Sequence, residues 1–132
     1  MRMKFGYTIL YVKNVEETLS FYEKAFGLTR RFFHESGQYG EMETGETTLA
    51  FASEALSKEN GLSFTPSHQN SLPSGFELAF VTKDIEYAYE KAIKSGAVSV
   101  KTPSQKPWGQ KVSYVRDLNG VLIELCSPLE NS

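Results

Sequence analysis

The chain has 132 residues, 40% of them apolar and 23% charged, which is the composition of one globular domain or two small modules sharing a core. Fourteen Lys and Arg against sixteen Asp and Glu give a formal charge of −2, which argues against a nucleic-acid binder and against a polybasic membrane surface. A lone cysteine, Cys126, excludes an internal disulfide framework and a Cys-based zinc site. No apolar run approaches the ~20 residues that span a bilayer. Met1-Arg2-Met3-Lys4 leads straight into strand-like sequence without a signal-peptide apolar region, so a cytoplasmic protein is expected.

The elements follow in order. Gly6–Val12 is β-branched and aromatic and reads as a strand. Asn14 stands at a helix N-cap position with Glu17 three residues on, and Val15, Leu19, Tyr22 and Phe26 follow at helical spacing before a Gly27 stop. Strand-like runs near Thr29–Glu35, Gln38–Glu43 and Thr47–Ala52 are separated by Ser36-Gly37 and Thr44-Gly45-Glu46, residues that suit tight turns. From Ser53 to Gly75 the sequence is rich in Ser, Asn, Pro and Gly. So long a connection is either a linker or a functional lid, and its composition favours a plain solvated linker with a short helical turn around Ala55–Glu59.

The first pattern then returns. Phe76–Val81 reads as a strand and Asp84 as an N-cap; Ile85, Ala88, Ala92 and Ile93 form a helical stripe that ends at Gly96. Strands are expected near Ala97–Lys101, Lys111–Arg116 and Val121–Ser127, the last two joined through Asn119-Gly120, a short-hairpin signal. The fold class is therefore α+β, a pair of β-α-β-β-β modules at 5–52 and 76–128 joined by the connection 53–75, forming a mixed, curved sheet with a groove. A helix shields one face of each sheet, and the other face must meet a partner unit, a second subunit or a ligand.

Several segments in this order resemble the vicinal oxygen chelate superfamily, which includes glyoxalases, bleomycin-resistance proteins and extradiol dioxygenases. They are Tyr11-Val12-Lys13-Asn14-Val15, Phe21–Leu28, Phe80-Val81 with Asp84-Ile85 and Gly96-Ala97, Pro107-Trp108-Gly109, and above all Arg116–Leu125. In that last run Leu118 stands where the family usually has proline, and Asn119 where aspartate is usual. The resemblance implies a homodimer and a single domain across 1–132. It also implies a site at four positions that hold a divalent metal in the family's enzymes. These fall on Tyr7, Ala50, Glu77 and Glu124, of which Glu124 matches the family's usual carboxylate. Two carboxylates without an imidazole make a poor site for zinc or iron. No cofactor is expected beyond a weakly held divalent cation, Mg²⁺ or Mn²⁺, at Glu77 and Glu124.

Strand alternation sets Glu77 with Ala79 and Val81, and Glu124 with Leu122 and Cys126, opposite the bulky helix-facing residues. By the same rule Tyr7, Ile9 and Tyr11 share a face, as do Thr48, Ala50 and Ala52. The expected ligand-binding residues are therefore Tyr7, Tyr11, Ala50, Glu77, Trp108 and Glu124. Two acids in one partly dry groove raise at least one pKa and favour a cation or a shared proton. Trp108 reads first as core or dimer packing and second as a ligand-stacking ring. His34 and His68 fall on none of the family's ligand positions, Cys126 reads as a buried spectator, and Arg30, Arg31, Lys91 and Lys94 read as solvated charges.

The leading expectation is a bleomycin-resistance-like protein that binds a small molecule in the groove between its modules, without a tightly held transition metal. The alternatives are a divalent-metal-dependent, glyoxalase-like lyase or isomerase with Glu77 and Glu124 as catalytic residues, and a chemically inactive regulatory or interaction module.

Overall fold

The computed structural model describes residues 1–129. The chain forms two compact units: Met1–Glu23 with Gly27–Pro66, and Lys24–Phe26 with the chain from Ser67 on. No helix among the described residues is long and apolar enough to cross a membrane.

The first unit contains β1 (Tyr7–Val12), most of α1 (Val15–Phe26), β2 (Thr29–Phe33), β3 (Tyr39–Glu43), β4 (Thr48–Ser53) and α2 (Glu54–Glu59). Its four-stranded sheet runs β1-β4-β3-β2, with β1 parallel to β4 and the other pairs antiparallel. The expected cap of α1 forms: Asn14 Oδ1 accepts the Glu17 N–H at 2.9 Å, and Gly27 closes the helix at φ 69°. Val15, Leu19 and Tyr22 are fully buried, and the Tyr22 ring packs on Phe51 with centroids 4.8 Å apart. Gly40 of β3 lies so close to Leu19 that a Cβ there would sit 2.6 Å from its Cδ1. Arg30 is not the free surface charge expected of it. It ties β2 to α1 through Glu16 at 2.6 Å and Glu23 at 3.0 Å.

The second unit contains β5 (Leu78–Val81), α3 (Ile85–Lys94), β6 (Val98–Gln105), β7 (Lys111–Arg116) and β8 (Leu122–Cys126), in the sheet order β5-β8-β7-β6. Here too the first and last strands are parallel neighbours. Asp84 caps α3, accepting the Tyr87 N–H at 3.0 Å. Two elements differ from the sequence reading. Glu77 falls just outside the shorter β5. β6 continues past Lys101 to Gln105 because it is an edge strand, where register irregularities between Ser99 and Ser104 accommodate Pro103.

The β7–β8 turn is also larger than a two-residue hairpin. The fully buried Asp117 carboxylate accepts the N–H groups of Asn119 and Val121, each at 2.8 Å, and Gly120 adopts φ 84°. The segment 53–75 is not a plain solvated linker. Ser53 caps α2, α2 packs on β1 and β4, and Phe64 lies against Tyr11 with ring centroids 5.0 Å apart.

Candidate functional site

β8 lies between β5 and β7, so a side chain at its middle is flanked on both sides. Ile123 and Leu125 turn into the core, with 0% and 2% exposure, while Leu122, Glu124 and Cys126 share the other face. Register places Ala79 and Tyr114 beside Glu124. Glu77 stands at the entrance to β5, near the Glu124 carboxyl. Hydrogen bonding to Glu124 first, then partial burial, then the Glu124 charge push the Glu77 pKa up to about 7. The Tyr114 hydroxyl donates to Glu124 Oε1 at 3.3 Å. Burial first, and then the charges of Glu124 and Glu77, push the Tyr114 phenol up. Burial, followed by Glu124, also raises the Cys126 thiol, which keeps it protonated and unreactive.

A Glu77 carboxyl that keeps its proton up to about 7 presents a donor beside the acceptor oxygens of Glu124. Such a pair orients a polar group or neutralises a cation. It is a poor cage for a transition metal. Among the described residues no three His, Cys, Asp or Glu side chains gather as a ligand set, and two carboxyls alone offer no nitrogen or sulfur donor. The other two positions carried over from the family add little. Ala50 has no donor and no exposed surface, and Tyr7 contributes only a phenol oxygen. The residues present do not fit a resident zinc or iron ion.

The remaining predicted residues lie as follows. Tyr7, 53% exposed, lines a polar cavity of about 290 Å³ in the first unit with Arg31 and Thr48. Arg31 is held there by Glu41 at 2.9 Å and by Thr48 Oγ1 at 3.0 Å, and Glu41 also accepts the Tyr39 hydroxyl at 2.7 Å. Tyr11 contacts Phe64, and Ala50 pairs with Ile9 beneath that face of the sheet. Trp108 is 62% exposed in the turn between β6 and β7, with its indole N–H on Gln110 at 2.7 Å; it is not a core residue. The structure thus joins Glu77 to Glu124 and sets Tyr7 with Arg31 and Thr48. A separate apolar cavity of about 150 Å³ in the second unit, lined by Phe26, Phe80, Tyr87, Lys91 and Leu125 among others, contains none of the predicted site residues.

Sequence reasoning missed Tyr114. Tyr114 was within reach: once the turn after Arg116 is recognised, pairing β7 with β8 places Tyr114 opposite Glu124.

Residues 5–130 match the family profile described as glyoxalase-like domain. The uncharacterized protein YraH of Bacillus subtilis strain 168 is 27% identical over 128 residues, spanning 93% of this chain and 97% of YraH. Among solved structures, a glyoxalase-related enzyme from Fulvimarina pelagi is similar with a TM-score of 0.80 at 19% identity, over 96% of this chain and 89% of that one. A glyoxalase/bleomycin resistance protein/dioxygenase family enzyme from Burkholderia phytofirmans PsJN gives 0.78 at 17% identity, over 95% and 98%. At these identities the two structures share the fold with this chain.

Proposed function

The chain belongs to the glyoxalase-like domain family, and from that premise we propose that it binds a small organic molecule through the Glu77–Glu124 pair without a tightly held transition metal. The observation that carries this reading is the placing of Glu77 beside Glu124, whose carboxyl and charge, with burial, push the Glu77 pKa up to about 7. A site of that charge and hydrogen-bonding capacity suits a ligand with a cationic or hydrogen-bond-donating group. The Tyr114 phenol lies beside it, and the exposed rings of Tyr7 and Trp108 offer apolar contact. Exposed apolar side chains in both units, such as Phe32, Phe33 and Val81, suit a second copy of the chain, and a homodimer is part of the proposal. A divalent cation at the pair would be Mg²⁺ or Mn²⁺ and weakly held.

The test is a thermal-shift screen of small amines beside their neutral isosteres, with equilibrium dialysis against Zn²⁺, Fe²⁺ and Mg²⁺. Amines that stabilise the wild type and fail on Glu124→Gln support the proposal. Tight stoichiometric transition metal, or equal response to the neutral isosteres, overturns it.

One observation favours a second reading. A carboxyl near pKa 7 is matched to general acid–base work at neutral pH. In a lyase or isomerase, Glu77 would move the proton and Glu124 would set its affinity. Glu124→Gln separates the two readings: an enzyme loses turnover by roughly 10²–10⁴-fold, whereas a binder has no turnover to lose.

A further inference from the structure

We propose that the apolar cavity of the second unit is a binding site for a small aromatic carboxylate, with the ring against Phe26, Phe80 and Leu125 and the carboxylate on the Lys91 ammonium. This cavity is separate from the Glu77–Glu124 pair. Phe80 and Leu125 are register partners on β5 and β8, and each alternates with a residue of the other face, Ala79 and Glu124. Phe80 and Leu125 therefore share the helix-covered face, and the cavity they line is on the opposite side of the sheet from Glu124. Its origin lies in the packing. α3 packs on β6, β7 and β8, while β5 is the edge strand of the sheet. Toward that edge α3 presents Ala88, and the end of α1 presents Ala25, each no larger than a methyl group. Small side chains set among large ones leave a space of about 150 Å³, the size that takes one benzene ring.

The lining dictates the chemistry of the guest. The Phe26 and Phe80 rings stand 5.0 Å apart at 31°, and a third ring, Tyr87, borders the cavity with 63% of its surface exposed. Such walls offer a flat guest offset and edge contacts with more than one ring. Among the described residues that line the cavity, Lys91 alone carries a charge. It stands one turn after Tyr87 on α3, half-buried, with Nζ 6.0 Å from the centre of that ring. No carboxylate pairs with Lys91 among the described residues, and Glu86, in the first turn of the same helix, is taken by Lys111 at 2.6 Å. Lys24 and Lys83, exposed and equally without a carboxylate partner, adjoin the lining residues Ala25 and Thr82 in the chain. A ring-sized apolar space with an unpaired ammonium at its wall suits an anion whose body is apolar. The apolar walls also keep water from one side of the ammonium, which strengthens its attraction for a carboxylate.

The experiment is a methyl NMR titration of the full chain with benzoate, benzamide and acetate, in wild type, Lys91→Met and Ala88→Leu. Benzamide keeps the ring and lacks the charge; acetate keeps the charge and lacks the ring. We expect saturable benzoate shifts at the methyl groups of Leu125 and Val81, both of which line the cavity, and none at Leu122, which shares the Glu124 face. Benzamide should bind about tenfold more weakly than benzoate, the worth of one charge-assisted hydrogen bond, and acetate should give no saturable shift. Lys91→Met keeps the length of the side chain and should weaken benzoate by the same factor while leaving benzamide unchanged. Ala88→Leu should abolish the response to both, because the added side chain occupies the cavity. The proposal is overturned by shifts centred on Leu122, by no saturable shift at millimolar benzoate, or by equal affinity for benzoate and benzamide. It is also overturned if the Leu125 and Val81 shifts follow protein concentration instead of benzoate, since a second copy of the chain then covers the cavity. The comparison of benzoate with benzamide needs no variant, and it decides should Ala88→Leu fail to fold.

Discussion

Replacing Glu77 by Gln tests the raised Glu77 carboxyl through folding stability. In the folded chain Glu77 titrates at about 7 rather than at its ordinary 4.5, because of its hydrogen bond to Glu124, then burial, then the Glu124 charge. The unfolded chain releases that proton at the ordinary value. Across this interval the folded state binds more protons, so its stability falls as pH rises: the contribution is complete below about 4.5 and gone above about 7. At ~1.36 kcal/mol per pH unit the interval sets a ceiling of about 3 kcal/mol. Glu77 is solvent-exposed, and screening reduces the effect to about 1 kcal/mol. Glutamine is neutral at every pH and lacks this dependence. In urea unfolding of both proteins, the stability of wild type minus that of Glu77→Gln should fall by about 1 kcal/mol from about pH 4.5 to about pH 7.5. Parallel profiles, or a wild type that gains on the variant as pH rises, would refute the reasoning.

Three further substitutions probe the scaffold. Asn14→Ala removes the acceptor for the Glu17 N–H and should cost about 1 kcal/mol, read as a fall of a few degrees in Tm. Met42→Ala empties a position with 0% exposure and should cost about 2–5 kcal/mol in urea unfolding. Gly120→Ala and Gly45→Ala both place a side chain at positive φ, but only at Gly120 does the new Cβ meet backbone. The Gly45 variant should lose about 1 kcal/mol and the Gly120 variant clearly more, and equal losses would remove the case for close contact at the turn.

What could be read beforehand was what local chemistry encodes. Asn14, Gly27 and Asp84 mark helix ends because a short polar side chain or a missing Cβ meets a specific backbone need there, and all three serve as expected. Strand alternation put Glu77 and Glu124 on one face, and Glu77, just ahead of β5, lies near the Glu124 carboxyl. The hidden parts depend on contacts distant in sequence that leave no pattern of residue types. Nothing near Ala50 signals that α2 returns to pack on β4. Nothing near Ser67–Ser71 signals that its carbonyls surround an arginine more than forty residues further on. Of the readings open for Trp108, the structure removes core packing: its ring is exposed and its N–H is satisfied by Gln110 within the same turn.

The parallel pairing of the first and last strand in each unit also governs the order of assembly. In the sheet order β1-β4-β3-β2 the last strand made is an interior one, so β1 has no neighbour until Thr48 reaches Tyr7, and β5 none until Ile123 reaches Leu78. Each sheet therefore forms late, after a long loop closes, while the local β2–β3 and β6–β7 hairpins can form early and wait. On the ribosome, the first sheet becomes complete only when β4 emerges, and the second only when β8 does. Until then β1 and β5 carry open hydrogen-bonding edges, and it is in those two intervals that the chain is most exposed to pairing with a neighbour of its own kind.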